Sequence, residues 1–278
     1  MAEDVEETQF ERSVEELKRI RERMALVGHK IAVFSGKGGV GKSLVTVNLA
    51  AALAVRGLKV GVLDADLHGP TVPKMLGLKG ERLHATEQGT IRPVEGIRGI
   101  EVVSMDFLLS AQSEPVIWRG PLKMSALRQF LADVEWGALD YLLVDLPPGT
   151  GDESLSMLQL LPDITGAVIV TIPSEVSGDV VEKSVTFARQ MKAPVIGLVE
   201  NMGYLICPRC GEKIHLYGEG AGERVSREMG IPLLGSIPLD PEVSRDSDRG
   251  TPFVLDHPDS EAAREFGRIV DKIVEYKP

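Results

Sequence analysis

The chain has 278 residues, of which 43% are hydrophobic and 26% are charged, and its formal net charge is −10. This composition is typical of a globular protein with a full hydrophobic core, and it excludes a disordered or fibrous one. The negative charge, without a local basic patch, disfavours nucleic acid and anionic membranes as partners. The acidic N-terminus lacks the pattern of a secretory signal, and no segment approaches the length of a membrane span. We therefore expect a cytoplasmic protein that binds neither nucleic acid nor membrane.

Residues 1–29 form a first segment that differs in pattern from the rest of the chain. Its apolar residues recur at intervals of three and four, which predicts an amphipathic helical extension that packs on the main domain or on a partner. These residues are Phe10, Val14, Leu17, Ile20, Met24 and Val27.

Residues 30–278 alternate short β-branched runs with helical stretches. This pattern predicts one α/β domain, a doubly wound and mostly parallel sheet with helices on both faces. The predicted strands are 30–35, 59–64, 100–105, 140–145, 166–172, 194–200 and 232–237. The predicted helices are 42–56, 120–133, 152–161, 176–191, 220–229 and 259–275. The glycine-rich residues 78–99 predict an excursion or an irregular hairpin.

A phosphate-binding loop follows the first predicted strand of the domain. The segment matches the pattern G-x-x-x-x-G-K-[ST] between a strand and a helix, the context in which backbone N–H groups surround phosphates. In this pattern Lys42 neutralises the β- and γ-phosphates of a nucleotide, and the Ser43 hydroxyl is a ligand of Mg²⁺. The predicted nucleotide-binding residues of the loop are Gly36, Lys37, Gly38, Gly39, Val40, Gly41, Lys42 and Ser43.

Polar residues also end three of the other predicted strands. Asp64 and Asp66 follow the second strand, Asp145 ends an apolar strand as in a Walker B motif, and Asn201 ends a third. The carboxyl edge of a doubly wound sheet is where such folds bind ligands, and Asp145 is predicted to hold a water of the Mg²⁺ shell. The loop after Asp145 resembles a switch loop in which the Gly149 N–H senses the γ-phosphate. Singly, each acid is more often a helix cap or a turn residue, so their joint placement carries the prediction.

The only two cysteines of the chain occur as Cys207-Pro-Arg-Cys210-Gly211. Two thiolates at this spacing converge on one metal, yet neither tetrahedral zinc nor a four-iron cluster is satisfied by two thiolates. A symmetric dimer would supply four. The spacing leaves open a bridging iron-sulfur cluster, a bridging zinc ion and a thiol-disulfide redox pair. We do not include His215, because a lone histidine is more often exposed or hydrogen-bonded.

The loop Lys37-Gly-Gly-Val-Gly-Lys-Ser43 resembles the deviant Walker A loop of the MinD, ParA and nitrogenase iron protein class. This resemblance implies that Lys37 reaches across a dimer to the nucleotide of the partner. It also implies that Asp66 orients the attacking water and that Asp64 supports the metal shell. Asn201 corresponds to an asparagine that contacts adenine, and the alternative for this residue is a turn-forming asparagine at a strand end.

A closer resemblance covers residues 30–255 and is to the Mrp/ApbC/Nbp family of ATP-binding iron-sulfur cluster carriers. It implies ATP binding with slow hydrolysis, a homodimer, a labile [4Fe-4S] cluster held between subunits at Cys207 and Cys210, and delivery of the cluster to apo-proteins. Residues 1–29 contain no cysteine, unlike relatives with an N-terminal ferredoxin-like motif. The stretches that carry the resemblance are Ser35–Ser43, Asp64–Pro70, Trp118–Pro121, Asp140–Asp152, Glu200–Met202, Cys207–Gly211 and Gly235–Asp240.

Two other functions remain as alternatives. The first is a MinD/ParA-like positioning or scaffolding ATPase in which the cysteines hold a structural zinc across the dimer. MinD relatives end in a basic amphipathic membrane helix, whereas the mixed charges of residues 259–275 predict a helix packed on the domain. The second is a metabolic P-loop kinase, which explains neither Lys37 nor the paired thiols.

Overall fold

The computed structural model describes residues 2–66, 69–108 and 120–277. Two parts of the motifs noted above lie outside the described residues, namely the Leu67-His68 pair and the Trp118-Arg119 pair. No helix within the described ranges combines the length and the apolar character that crossing a bilayer requires.

The centre of the molecule is an eight-stranded sheet with the order β12-β9-β8-β1-β7-β2-β6-β5. All neighbouring strands run parallel except β5, which is antiparallel to β6 at the edge. Two short antiparallel ribbons, β3-β4 and β10-β11, lie outside this sheet. The strands are β1 His29–Phe34, β2 Val60–Asp64, β3 His84–Ala85, β4 Ile91–Arg92, β5 Val94–Glu95, β6 Glu101–Ser104, β7 Tyr141–Asp145, β8 Gly166–Thr171, β9 Val195–Glu200, β10 Leu205–Ile206, β11 Lys213–Ile214 and β12 Leu233–Ser236.

Helices cover both faces of the sheet because its strands are apolar on both sides. In β1, Ile31 and Val33 pack into one core while Ala32 and Phe34 pack into the other, as the period of two requires. Helices α2, α3, α8, α9 and α10 enclose the first core, and α1, α4, α5, α6 and α7 enclose the second. The helices are α1 Ala2–Met24, α2 Lys42–Val55, α3 Val72–Met75, α4 Gly120–Ala132, α5 Asp152–Leu160, α6 Glu175–Gln190, α7 Ala221–Met229, α8 Pro241–Arg249, α9 Phe253–Asp256 and α10 Glu261–Glu275.

The predicted doubly wound sheet is confirmed, and the predicted strands and long helices are present to within about two residues at each end. The predicted excursion at 78–99 contains the β3-β4 hairpin and the edge strand β5. Helices α3, α8 and α9 were not predicted. In α8 only Val243 is apolar, so hydrophobic periodicity gives little signal there. The sequence signal for this helix lies at its N-terminus. The Asp240 side chain accepts a hydrogen bond from the Glu242 N–H as an N-cap, and Pro241 occupies the first turn.

The N-terminal helix α1 packs on the domain through its last turns. Ile20 and Met24 are fully buried in the core that α4 also lines, whereas Val14 and Leu17 are 50% and 42% exposed. The Lys30 side chain closes the end of this helix, since its Nζ atom donates to the Met24 carbonyl oxygen at 3.2 Å. Burial lowers the pKa of Lys30. The C-terminal half of α1 therefore contacts the main domain.

The edge strands β5 and β6 bring two carboxylates together and predict a pH-dependent stability. Glu101 faces Glu95 across the antiparallel pair, and burial followed by the charge of Glu95 raises the pKa of Glu101 to about 7. Because the folded protein holds this proton more tightly than the unfolded chain, stability falls as pH rises from about 4.5 to about 7.

We expect Glu101→Gln to raise the free energy of unfolding by about 1 kcal/mol above pH 7, and this value allows for screening by solvent. The increase should become smaller as the pH falls towards 4.5, because Glu101 becomes protonated in both states. Urea unfolding midpoints at about pH 5 and about pH 8 measure this difference. Glu81→Gln, at an exposed position, is the control and should leave both midpoints unchanged. A gain that is the same at both pH values would contradict the prediction.

Candidate nucleotide site and cysteine pair

The phosphate loop lies between the end of β1 and the start of α2 and depends on its glycines for two reasons. Gly39 and Gly41 have φ angles of 79° and 81°, in the left-handed region that residues with a Cβ atom rarely adopt. A Cβ atom on Gly36 would lie 2.3 Å from Cγ1 of Val180, which leaves no room for a side chain. The loop therefore closes tightly onto α6, and its backbone is fixed before any ligand binds.

A buried ion pair anchors the first turn of α2 to the carboxyl end of β7. The Lys42 Nζ atom lies 2.6 Å from Oδ2 of Asp145, and the Lys42 and Asp145 side chains are 6% and 0% exposed. Ser43 donates to the same oxygen at 2.5 Å, and Thr46 donates to Oδ1 at 2.7 Å. Three predicted site residues, Lys42, Ser43 and Asp145, are thus brought into direct contact. Thr46 was not predicted, because its position one turn into the helix lies beyond the motif.

Asp64 lies beside Asp145 because β2 and β7 are adjacent parallel strands whose last residues are in register. Its two oxygens accept hydrogen bonds from the Asp66 N–H at 3.2 Å and from the Ser104 hydroxyl at 3.1 Å. Burial, and next the charge of Asp145, raise the pKa of Asp64 well above its usual value, although Lys42 opposes them. Two buried carboxylates that face one lysine form an electrostatically unbalanced pair that a cation would balance.

The other predicted residues of the sheet edge surround this pair. Asp66 is half-buried and follows β2 directly. The Gly149 N–H donates to the Ser35 carbonyl at 2.7 Å, so it can contact a γ-phosphate only after the switch loop moves. The Lys37 side chain is exposed on the outside of the loop, while its carbonyl oxygen accepts from the Ser35 hydroxyl at 2.9 Å. Within one chain, Lys37 therefore does not join the buried ion pair.

Asn201 joins the phosphate loop to a cavity. Its Nδ2 atom donates to the Val40 carbonyl at 2.9 Å, and this approach is close enough that a Cβ atom on Gly41 would lie 2.2 Å from it. Asn201 also lines a largely apolar cavity of about 310 Å³, within the range of small-ligand pockets. The opposite wall comes from residues 237–248. The sequence motif Gly235–Asp240 marked this wall, but nothing in the residues alone assigned it to a pocket.

The cysteine pair occupies the turn of the β10-β11 ribbon. The Cys207 N–H donates to the Glu212 carbonyl and its carbonyl accepts from the Gly211 N–H, both at 2.9 Å. The backbone N–H groups of Cys210 and Arg209, followed by the Cys210 thiol, lower the pKa of Cys207. Cys207 is half-buried and Cys210 is exposed. Two thiols three positions apart in one turn, one of them supported by backbone amides, could supply two of the four ligands of a tetrahedral metal site.

The ribbon is attached to the wall of the cavity through the backbone. The Gly203 N–H donates to the Ile237 carbonyl at 2.8 Å, and the Leu239 N–H donates to the Tyr204 carbonyl at 2.7 Å. Residues 237–240 therefore contact the cavity on one side and the base of the cysteine ribbon on the other.

Comparison with known proteins agrees with this geometry. A family model described as ParA, NUBPL iron-transfer P-loop NTPase, matches residues 26–274. Proteins named iron-sulfur cluster carrier protein from Saccharolobus solfataricus and Methanocaldococcus jannaschii are 54% and 52% identical, each over 92% of this chain and over 86% and 88% of their own lengths.

Solved structures give the same assignment. A nucleotide-binding protein from Archaeoglobus fulgidus, in complex with ADP and with cobalt, is 45% identical with a TM-score of 0.76 over 84% of this chain and 91% of its own. The cell division ATPase MinD of Pyrococcus furiosus is 26% identical with a TM-score of 0.65 over 89% and 99%. The predicted family resemblance is confirmed. The chain belongs to the ParA family of P-loop NTPases, within its NUBPL iron-transfer group.

Proposed function

We propose that this protein binds and slowly hydrolyses ATP at the phosphate loop, holds a [4Fe-4S] cluster between two subunits at Cys207 and Cys210, and transfers the cluster to apo-proteins. The observation that carries the proposal is the pair of Cys207, which backbone amides support, and the exposed Cys210, on a ribbon attached to the wall of the nucleotide cavity. The names of the relatives, iron-sulfur cluster carrier protein, support the same function.

The buried residues of the sheet edge fit ATP with Mg²⁺. Ser43 and Asp145 supply the oxygen donors that Mg²⁺ prefers, and the unbalanced charge of Asp64 and Asp145 favours a dication there. Bound in this place, Mg²⁺ would neutralise charge on the β- and γ-phosphates. Lys42 then exchanges its contact with Asp145 for the phosphates. The cavity beside Asn201 receives the base, with residues 237–248 as its wall.

Hydrolysis needs a positioned water molecule more than covalent chemistry from the protein. Asp66 lies at the end of β2, next to the buried carboxylates, and we assign it the role of orienting that water towards the γ-phosphorus. Lys37 is exposed and takes no part in the ion pair of Lys42 and Asp145, which supports a role in contacting the nucleotide of a second subunit.

The cluster is the cargo of the protein, and it requires two chains. One chain supplies two thiolates, and a four-iron cluster needs four ligands. The ribbon also carries exposed apolar side chains next to the cysteines, at Ile214, Leu216 and Tyr217, with exposures of 40%, 52% and 47%. An exposed apolar cluster of this kind favours contact with a second copy along a twofold axis.

Residues 237–240 provide a physical connection between the two sites. If a nucleotide in the cavity moves this segment, the hydrogen bonds to Gly203 and Tyr204 carry the movement to the base of the ribbon. The separation of the two cysteine pairs, and with it the affinity for the cluster, would then depend on the nucleotide state.

A zinc-bridged scaffold is the second candidate, because the same amide-supported turn suits zinc as well as iron. Helix α10 buries Phe266, Ile269 and Val270 against the domain, so its apolar face is not available to a membrane as it would be in a MinD-like membrane helix. The identity of the bound metal separates the two candidates.

Asp66→Asn should lower the turnover of ATP by roughly 100-fold or more, because the amide cannot accept a proton from the attacking water. Nucleotide affinity should stay within about threefold, since the phosphate loop and the cavity are unchanged. Phosphate release under saturating ATP measures turnover, and titration with a fluorescent ADP analogue measures affinity. Asp259→Asn, at an exposed position, is the matched control. Unchanged turnover in Asp66→Asn would remove Asp66 from the mechanism.

Anaerobic reconstitution with iron and sulfide should load about two irons and two sulfides per chain, and the loaded protein should be a dimer. Visible absorption, metal content and size-exclusion chromatography report the result. Cys207→Ala should lose the cluster, whereas Arg209→Ala should keep it, because this change leaves the backbone N–H that supports Cys207 in place. A monomer with a full iron centre, or a protein that takes up only zinc, would overturn the carrier proposal.

Lys37→Ala should make the affinity for the cluster independent of whether ATP or ADP is bound. In the wild type we expect cluster loss to a chelator to differ by at least about fivefold between the ATP and ADP states, and in the variant the ratio should approach one. The matched control is Lys79→Ala, an exposed lysine outside the loop. Equal rates of cluster loss in the apo, ADP and ATP states of the wild type would refute the coupling itself.

A further inference from the structure

A second group of potential metal ligands lies on the outer part of α8, away from the cysteines. Glu242 and Asp246 are four residues apart and share one face of this helix, and His257 follows α9. One ligand atom from each residue lies within 4.8 Å of the other two. Among the described residues, this is the one group of three or more such side chains that meets this distance criterion.

The carboxylate of Asp246 is the unusual member of this group. The residue is 0% exposed, and neither of its oxygens has a hydrogen-bond partner in the described part of the chain. A buried carboxylate without hydrogen bonds is costly, and native proteins rarely leave one unexplained. Its two neighbours are cationic or can become so. The His257 Nε2 atom lies 3.0 Å from Oδ2, and the Arg249 guanidinium lies 3.5 Å from Oδ1.

The contact between His257 and Asp246 has the separation of two ligands on one metal ion. At 3.0 Å the two atoms are close enough for a hydrogen bond, yet the ring N–H is not aligned with the oxygen. Metal bonds of about 2.1 Å place two ligand atoms about 3 Å apart when they meet the ion at a right angle and about 3.4 Å apart in a tetrahedral site, so the observed separation fits a site with octahedral angles. The Phe253 ring stacks on His257 with centroids 4.9 Å apart and fixes the orientation of the imidazole.

We propose that Glu242, Asp246 and His257 form a binding site for a divalent transition-metal ion of the Zn²⁺ and Co²⁺ type. One imidazole with two carboxylates suits these borderline ions, whereas Mg²⁺ and Ca²⁺ prefer oxygen ligands alone. The two carboxylates together carry the charge that balances a dication. Water completes the coordination on the exposed side.

Two arginines border the site, and both can leave it. Arg245 contacts Oε1 of Glu242, and Arg249 lies near Asp246, but their side chains are 64% and 67% exposed. A metal ion displaces them towards solvent, where their charge is well hydrated. The ion would tie α8, whose other face lines the nucleotide cavity, to the segment that follows α9.

The test uses the full chain with Cys207→Ser and Cys210→Ser, which removes the thiolates, in buffer with excess Mg²⁺ and ADP to occupy the phosphate loop. We expect calorimetric titration with ZnCl₂ and with CoCl₂ to give about one equivalent per chain and to raise the melting temperature. Bound Co²⁺ should show weak visible bands without the intense charge-transfer band of a thiolate ligand.

Adding His257→Gln should weaken metal binding at least tenfold and abolish the rise in melting temperature. Adding His215→Gln, the matched change on the cysteine ribbon, should leave both unchanged. Glu242→Gln provides a second ligand variant at a half-exposed position, so a folding defect in His257→Gln does not decide the result. Failure of the starting protein to bind either ion, or an affinity in both ligand variants that is unchanged from the starting protein, would reduce the cluster to a structural ion pair.

Discussion

The buried pair of Lys42 and Asp145 is the interaction on which the site depends. It joins the first turn of α2 to the end of β7, and Ser43 and Thr46 complete the hydrogen bonds of the carboxylate. Breaking a buried ion pair from one side leaves an uncompensated charge and typically costs about 3–5 kcal/mol. The end of the phosphate loop that begins α2 is therefore held against β7 by the same residues that are proposed to bind the phosphates and the metal ion.

The register of β2 against β7 adds a second constraint. Asp64 and Asp145 are directly paired, so the sheet forces two carboxylates together in a place without water. The ammonium group of Lys42 balances only one of them, and burial, followed by the charge of Asp145, raises the pKa of Asp64 well above its usual value. An arrangement that is unfavourable for stability is expected where it serves binding, because a bound divalent cation would offset the excess negative charge of the two carboxylates. Hydrophobic strands on both sides keep this edge rigid enough to preserve the imbalance.

The sheet and the phosphate loop could be predicted because they depend on local rules. Apolar runs of β-branched residues define buried strands, and the loop pattern requires glycine where φ is positive, as at Gly39 and Gly41. Helix α8 and the cavity wall at 237–248 could not be predicted in this way. The helix has one buried apolar residue, and the wall forms only when the chain folds back against Asn201. The pairing of Asp246 with His257 likewise joins two elements whose relative position no periodicity specifies.

The phosphate-loop site and the cysteine pair differ in how far one chain encloses them. The residues that face a nucleotide are packed within one chain, with Lys42 and Asp145 almost without solvent contact. Cys207 is half-buried and Cys210 is exposed in the turn of a short ribbon, where backbone amides support the Cys207 sulfur and the chain leaves one side of the pair open. Under the proposed function, a site so open would bind a cluster strongly only when a second subunit covers it, and would release the cluster when that subunit withdraws. The segment at 237–240 contacts both sites, so the geometry favours control of the cover by the nucleotide rather than by the cysteines themselves.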